Sequence, residues 1–134
     1  MHLIRLPAFF IALLFMLPFT SSHAEDNIAK HVDVHQFTQL IADNPNAEIL
    51  DVRTHEEFHA GHIADAVLLD FYGKDFAAKV QELDKDKTYL LYCRSGNRSG
   101  RTLVLMKNLG FKTIYNMRGG MNQWTAAKLP VVTP

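Results

Sequence analysis

One cysteine in the chain is followed directly by a loop of residues suited to anion binding. Cys93 is the only cysteine among 134 residues, and the residues after it are Arg94, Ser95, Gly96, Asn97, Arg98 and Ser99. The apolar run at residues 89–92 predicts a buried strand before it, and residues 98–109 predict a helix after it. Glycine lets backbone amides converge on one point, and a helix amino terminus adds partial positive charge. The pattern therefore predicts a nucleophilic thiolate that meets an anionic substrate.

The predicted thiolate needs more stabilisation than one helix terminus supplies. An ordinary cysteine thiol is mostly protonated at neutral pH. A helix amino terminus stabilises a nearby anion by roughly 0.3 to 1 kcal/mol, so loop amides or the guanidinium groups of Arg94 and Arg98 must contribute. The hypothesis requires that Cys93 be open to solvent and that the loop amides point inward. The alternative is a buried structural cysteine, since cysteine is among the most buried residue types.

Three ordered motifs resemble those of the rhodanese-type sulfurtransferases. CRSGNR at residues 93–98 resembles the active loop of that family. LDVRTHEEFHAGHIADAVLLDF at residues 50–71 and NMRGGMNQW at residues 116–124 are similar to two further family segments. Ala64 and Asp65 stand where the family often has proline and glycine, which affects one rim loop. The Gly119–Gly120 pair in the third motif predicts a close approach of the backbone to the site.

The resemblance implies a reaction and a set of partners. Cys93 would be the catalytic residue: it would take the outer sulfur of a small anionic donor such as thiosulfate and hold it as a persulfide. A thiol or cyanide-like acceptor, or a protein acceptor, would then remove that sulfur. No cofactor is implied. Residues 94–99 would bind the substrate, with Arg94 and Arg98 contacting the dianionic donor because a guanidinium fork matches oxyanions. The alternative for either arginine is a salt bridge with Asp51 or another acid.

Two charged residues lie at or just after the carboxyl end of a second predicted strand, at residues 47–52. Asp51 and Arg53 would lie at its carboxyl end, on the same edge of the sheet as Cys93 if both strands are parallel. We expect this pair to support the loop and to take no part in the chemistry.

Histidines near this strand raise the question of a metal. His55 and His59 are four residues apart on a predicted short helix, with His62 just beyond, which is a spacing found in zinc sites. No cysteine lies nearby to complete such a site. A thiolate that attacks sulfur needs no general base either, so we expect no metal and no catalytic histidine.

Other protein families also use a cysteine thiolate in a loop. Cysteine phosphatases and arsenate reductases place an arginine in a CxxxxxR pattern, but residue 99 here is a serine and the arginine stands at 98. A CxxC oxidoreductase is excluded by the lone cysteine. A non-enzymatic carrier that holds a persulfide for a protein partner stays open from the sequence.

The amino-terminal residues predict export. Arg5, an apolar stretch at residues 6–19, and small residues at Ser22 and Ala24 are typical of a secretory signal peptide cleaved after Ala24. The alternative is an uncleaved membrane anchor. We expect residues 1–24 to be the signal peptide, residues 25–134 to form a single domain, and the protein to be periplasmic or secreted with no stable membrane contact after cleavage.

The distribution of charges and the periodicity of apolar residues indicate the partners and the fold of the rest of the chain. The 14 basic and 14 acidic residues are interspersed without a basic stripe, so nothing indicates a nucleic-acid partner. Residues 25–30 read as a flexible leader and 129–134 as a tail. Between them, strands are predicted at residues 31–34, 47–52, 66–69, 89–92 and 113–116. Helices are predicted at residues 34–42, 54–60, 76–83, 98–109 and 121–128. This alternation predicts a three-layer α/β domain with a mainly parallel sheet flanked by helices, and the resemblance implies the rhodanese fold.

Overall fold

The described part of the chain folds around a sheet of five strands. The computed structural model describes residues 26–134. The strands are β1 (Ile28–Val32), β2 (Glu48–Asp51), β3 (Val67–Leu68), β4 (Thr88–Tyr92) and β5 (Thr113–Met117). Neighbouring strands all run parallel, in the order β1-β5-β4-β2-β3. The strand that leads to Cys93, β4, therefore lies at the centre of the sheet.

Helices cover both faces of the sheet. They are α1 (Val34–Asp43), α2 (His55–Ala60), α3 (Phe76–Glu82), α4 (Asn97–Asn108) and α5 (Gly120–Ala126). Side chains alternate along β4: Leu91 packs in an apolar cluster that includes Val80 of α3, whereas Leu90 packs in a second cluster with Phe37 of α1 and Trp124 of α5. A sheet with a buried core on each face is a three-layer α/β arrangement. The predicted fold class is therefore confirmed.

Helix starts follow from local capping chemistry. The Asp33 side chain accepts a hydrogen bond from the Gln36 backbone at 2.7 Å, and the Gln36 side chain accepts one from the Asp33 backbone at 3.0 Å. These reciprocal bonds form a capping box and start α1 at the predicted residue. Apart from the first strand, the predicted elements agree with the structure within two residues at each end.

Two terminal predictions were wrong. The predicted leader at residues 25–30 overlaps β1, which begins at Ile28 and pairs along its whole length with β5. The hydrogen bonds of β1 come from β5, which is distant in sequence. Lys30 and His31 are exposed, so the segment lacks the apolar pattern of a buried strand. The predicted tail at residues 129–134 also bonds to the rest of the domain. Val132 forms an antiparallel bridge with His62, and the Trp124 indole donates to the Pro130 carbonyl at 2.9 Å.

The predicted signal peptide at residues 1–24 lies outside the described residues, so cleavage after Ala24 and export stay predictions. Within residues 26–134, none of the helices combines the length and the apolar character needed to cross a membrane.

The start of α5 lies directly against the loop that carries the cysteine. The backbone amide of Met121 donates to the carbonyl of Cys93 at 2.9 Å, and that of Asn122 donates to the carbonyl of Arg94 at 3.0 Å. This approach requires glycine at position 120, where φ is +52° and a Cβ atom would overlap the Cys93 carbonyl oxygen. The close approach predicted from the Gly119–Gly120 pair is thus present.

A side chain at position 120 should therefore destabilise the fold. We expect Gly120→Ala to lower the free energy of unfolding by at least about 3 kcal/mol, because left-handed strain and overlap with backbone add together. Gly110→Ala is the matched control: its φ is also positive, +86°, but nothing lies within 4 Å of an added Cβ. That variant should lose only about 1 kcal/mol. Urea unfolding followed by Trp124 fluorescence measures both, and equal losses would contradict the close contact.

Candidate active site

Cys93 lies where the central strand ends and a helix is about to begin. It follows β4 directly, and α4 starts at Asn97. Gly96 precedes the helix with φ of 96°, a left-handed conformation that favours glycine. The loop therefore turns sharply at the carboxyl edge of the parallel sheet, which is where ligands bind in open α/β folds.

Two hydrogen-bond donors lie beside the sulfur of Cys93. The Gly96 amide donates to Sγ at 3.1 Å and the Ser99 hydroxyl donates to it at 3.3 Å. Burial raises the pKa of the Cys93 thiol, but the Ser99 hydroxyl and the backbone amides of Ser99, Gly96 and Ser95 lower it by more, so the net pKa is below its ordinary value. The inward-facing amides that the thiolate hypothesis requires are present.

The exposure of the thiol differs from the prediction. Cys93 has 0% of its surface exposed, whereas an open thiol was expected. The physical reason is strand alternation: Cys93 continues the series Tyr89 and Leu91 and points into the same core cluster as Leu103 of α4. A purely apolar site would raise the pKa of a buried cysteine, yet here it is lowered. The sulfur therefore lies out of contact with solvent, with apolar side chains on one side and the Gly96 and Ser99 donors on the other, and a reaction at Sγ requires the loop or the cavity wall to move.

A cavity of about 360 Å³ lies beside this loop. Its lining consists of polar and charged side chains with one aromatic ring: Glu57, Tyr72, Arg94, Ser95, Asn97, Arg98 and Arg101. Cys93 itself is not part of the lining. A larger cavity of about 520 Å³ lies at the amino end of β2, lined by residues such as Asn44 and Pro45. The smaller cavity is the one that combines guanidinium groups with proximity to the thiol, so it is the candidate approach for a substrate.

The two predicted substrate-binding arginines have different surroundings. Arg98 forms a bidentate ion pair with Glu57, with nitrogen to oxygen distances of 2.8 and 2.9 Å. The hydrogen bond from Arg98 lowers the pKa of Glu57. For Arg98 the structure therefore shows the salt bridge that was the alternative to substrate binding, and the acid is Glu57. Arg94 is exposed, and within residues 26–134 its side chain makes no hydrogen bond or ion pair. Of the two arginines, only Arg94 therefore has a guanidinium group that is available to bind an anion.

Glu57 lines the cavity together with Tyr72 and Arg101, and the sequence revealed none of the three as site residues. The backbone of Glu57 belongs to the first turn of α2, where the Thr54 hydroxyl accepts from its amide at 3.2 Å. The carboxylate, however, contacts Arg98 and the Thr54 hydroxyl. Residues 57 and 98 are 41 apart in sequence, so no local pattern reports this contact.

The predicted loop-supporting pair lies on the other face of the sheet. Arg53 donates to both carboxylate oxygens of Asp51, the shortest distance being 2.6 Å, and to the carbonyl of Gly61 at 2.8 Å. Burial raises the pKa of Tyr92 well above its ordinary value and the nearby Asp51 raises it further, so the Tyr92 hydroxyl stays protonated. The bonds of Arg53 connect the end of β2 with the end of α2, and its guanidinium lies 5.5 Å from the centre of the Tyr92 ring on β4. Support of the loop by Asp51 and Arg53 stays a prediction.

The histidines are engaged with the backbone of their own segment. His59 Nδ1 lies 2.8 Å from the carbonyl of His55, and His62 Nδ1 lies 3.0 Å from that of Phe58. Between residues 26 and 134 there is no group of three or more histidine, cysteine or acidic side chains suited to a metal ion. The absence of a metal in the working protein stays a prediction.

Comparisons with known proteins agree with this geometry. The model of the Rhodanese-like domain family matches residues 33–127. A sulfurtransferase from Allochromatium vinosum is 31% identical over 107 residues, which cover 80% of this chain and 98% of that protein. A rhodanese-related protein from Thermoplasma volcanium has a solved structure with a TM-score of 0.67 and 26% identity, covering 78% of this chain and 99% of that one.

A second kind of relative is longer. A tRNA uridine(34) hydroxylase from Sodalis glossinidius is 30% identical over 102 residues, covering 73% of this chain but only 29% of that protein. The matched family and the Allochromatium relative together support sulfur transfer in general. With the family model covering most of the described residues and the matched fold covering nearly all of a solved relative, the chain belongs to the rhodanese-like domain family.

Proposed function

We propose that this protein is a sulfurtransferase that moves a sulfane sulfur from an anionic donor such as thiosulfate to a thiophilic acceptor through a persulfide on Cys93. The observation that carries the proposal is the environment of Sγ, which accepts hydrogen bonds from the Gly96 amide and the Ser99 hydroxyl at the carboxyl end of the central strand. Those donors favour the thiolate, which is the form of cysteine that attacks sulfur.

The proposed reaction consists of two displacements at sulfur. The Cys93 thiolate attacks the outer sulfur of thiosulfate, the sulfur–sulfur bond of the donor breaks, and sulfite leaves with the bonding electron pair. The product is a persulfide anion, Cys93–S–S⁻. An acceptor nucleophile such as cyanide or a thiolate then attacks the outer sulfur and releases the Cys93 thiolate. No proton changes hands in the first step, so the protein supplies hydrogen-bond donors for a negative charge and needs no general base.

Access to the sulfur sets a condition on this reaction. Because Cys93 has no exposed surface, a donor reaches it only when the loop or the cavity wall shifts. The cavity beside the loop supplies the approach, and Arg94, with its unoccupied guanidinium, is the candidate to bind the donor's oxyanions there. Residues 95–99 then contribute amides and hydroxyls around the transferred sulfur.

A second candidate function is a persulfide carrier for a protein partner. The observation that favours it is the complete burial of Cys93, since a closed thiol would protect a bound sulfur until a partner opens the loop. Repeated turnover with small acceptors would favour the enzyme, and discharge to a protein alone would favour the carrier. A phosphatase or arsenate reductase is disfavoured further, because Arg98 is already bound to Glu57.

We also propose that the protein is exported. The basic start at Arg5, the apolar stretch at residues 6–19 and the small residues before a cleavage point after Ala24 support this location. The similarity to a tRNA-modifying hydroxylase covers less than a third of that protein, and the balanced charge of this chain gives no support to a nucleic-acid substrate.

Removing the thiol should abolish persulfide formation. We expect wild-type protein incubated with thiosulfate to gain the mass of one sulfur atom, and Cys93→Ser to gain none, because serine cannot form the sulfur–sulfur bond. Intact-protein mass spectrometry measures the adduct, and circular dichroism checks that the variant is folded. A sulfur adduct on the serine variant would refute Cys93 as the acceptor of the sulfur.

Removing the Ser99 hydroxyl should shift the pH dependence of the reaction. Ser99→Ala removes a donor that lowers the pKa of Cys93, so the pKa rises and the thiolate appears only at higher pH. We expect the rate of persulfide formation at neutral pH to fall about tenfold, the size expected for one hydrogen bond to a charged group. The rate should recover at alkaline pH, as stopped-flow kinetics across pH can show.

Thr102→Val is the matched control for that variant. Thr102 is also buried on α4, but its hydroxyl donates to the Arg98 carbonyl at 2.9 Å rather than to the sulfur. Its pH profile should stay close to that of the wild type. An unshifted profile in Ser99→Ala would show that the hydroxyl does not stabilise the thiolate.

Removing the Arg94 guanidinium should weaken donor binding. We expect Arg94→Ala to raise the KM for thiosulfate about tenfold, with little change in the free energy of unfolding, because the side chain is exposed and unpaired among the described residues. Lys107→Ala removes a positive charge from the far end of α4 and should leave KM within about twofold. Steady-state kinetics measures KM, and urea unfolding measures the free energy of unfolding. Equal KM values in the two variants would show that Arg94 does not bind the donor.

A further inference from the structure

The charges around the active-site cavity are uneven. Three guanidinium groups line it, those of Arg94, Arg98 and Arg101, and among its described lining residues Glu57 is the one carboxylate. Glu57 and Arg98 neutralise each other through two hydrogen bonds of 2.8 and 2.9 Å. The fork of Arg98 that faces Glu57 is therefore not offered to an entering anion.

The carboxylate of Glu57 is held in place from two sides. Arg98 binds both of its oxygens, and the Thr54 hydroxyl lies 3.3 Å from one of them. The backbone of Glu57 is fixed as well, because its amide donates to Thr54 in the first turn of α2. The side chains of Arg98 and Glu57 are 14% and 28% exposed, so the pair is sheltered but still borders the cavity. A carboxylate fixed beside Arg98 lowers the positive charge that each entering anion meets.

The attraction lost in this way grows with the charge of the donor. The energy between two charges is proportional to their product, so a dianion loses about twice the attraction that a monoanion loses at the same place. The remaining attraction comes from Arg94 and Arg101, which are both exposed and therefore partly screened by solvent.

We propose that Glu57 sets the charge preference of the site: by occupying Arg98, it weakens the preference of the cavity for doubly charged sulfane donors over singly charged ones. This inference rests on the proposed sulfur transfer through Cys93. Singly charged donors with a terminal sulfane sulfur, such as organic thiosulfonates, are thereby accepted alongside thiosulfate. With methanethiosulfonate, the Cys93 thiolate attacks the terminal sulfur, the sulfur–sulfur bond breaks, and methanesulfinate leaves with the electron pair.

The test compares two donors that differ by one charge. Thiosulfate and methanethiosulfonate are assayed at low ionic strength with wild-type protein and with Glu57→Gln, which keeps the size of the side chain and removes its charge. We expect kcat/KM to rise about tenfold for thiosulfate and about threefold for methanethiosulfonate, mainly through KM. Glu56→Gln, an exposed neighbour on α2 outside the cavity lining, should change neither. Equal changes with both donors, or none, would overturn the inference.

Conservative replacement separates charge from folding. Glu57→Asp keeps the carboxylate, so its ratio of kcat/KM values for the two donors should stay close to that of the wild type even if its stability falls. A donor ratio in Glu57→Asp that moves as far as in Glu57→Gln would count against a role for the charge.

Binding of unreactive anions distinguishes this inference from the proposed function. In a Cys93→Ala background, calorimetry with sulfate and methanesulfonate should show that Glu57→Gln tightens sulfate about threefold more than methanesulfonate. A changed binding ratio without persulfide formation in the wild type would support the charge preference and refute the sulfurtransferase. Normal turnover with an unchanged binding ratio would refute the charge preference alone.

Discussion

Two backbone hydrogen bonds from α5 hold the loop on which the site depends. Met121 and Asn122 donate to the carbonyls of Cys93 and Arg94. A trans peptide is planar, with its N–H directed opposite to its C=O. Fixing the Arg94 carbonyl towards α5 therefore directs the Ser95 amide away from α5, and this amide is one of the groups that lower the pKa of the Cys93 thiol. The absence of a side chain at Gly120 is what permits this approach, so a glycine distant from the cysteine in sequence decides where the loop amides point.

The same arrangement explains how a buried thiol keeps a lowered pKa. Strand alternation directs Cys93 into the core beside Leu91 and Leu103, where desolvation disfavours a negative charge. The polar edge of that core is occupied by the Gly96 amide and the Ser99 hydroxyl. These neutral donors stabilise a thiolate without placing a full positive charge in an apolar environment, which would carry its own desolvation cost. The donors that offset this desolvation consequently come from one stretch of chain, the loop after β4 and the first turn of α4.

The features that the sequence predicted correctly are those fixed by neighbours in the chain. The start of α1 at Val34 and the start of α4 near Asn97 depend on residues within one helical turn. The contact between Cys93 and Ser99 also joins residues only six apart in the chain, so their residue types were informative. Long-range partners were not predictable in this way. The ion pair between Glu57 and Arg98 depends on how α2 and α4 approach each other, and β1 exists because β5 supplies its hydrogen bonds. The burial of Cys93 was missed because the loop composition suggested exposure while the strand period directed the side chain inward.

Arg94 of the loop and Arg98 of α4 share a residue type and differ in what they contact, and under the proposed function this difference separates the chemistry at the sulfur from the binding of the donor. Arg98 is committed to Glu57, and although the charge of a Cys93 thiolate adds to the rise in the pKa of Arg98, the larger cause is the hydrogen bond to Glu57. The carboxylate of Glu57 therefore neutralises most of the positive charge of Arg98. Arg94 has no such partner among the described residues and lies at the cavity. A donor's oxyanions would thus meet a charge set by side chains on α2 and the loop, while its sulfur meets neutral amides and a hydroxyl. Because Glu57 lies on α2, whereas the donors to the sulfur lie on the loop and the first turn of α4, the charge of the accepted donor can change through residue 57 while the surroundings of the sulfur stay the same.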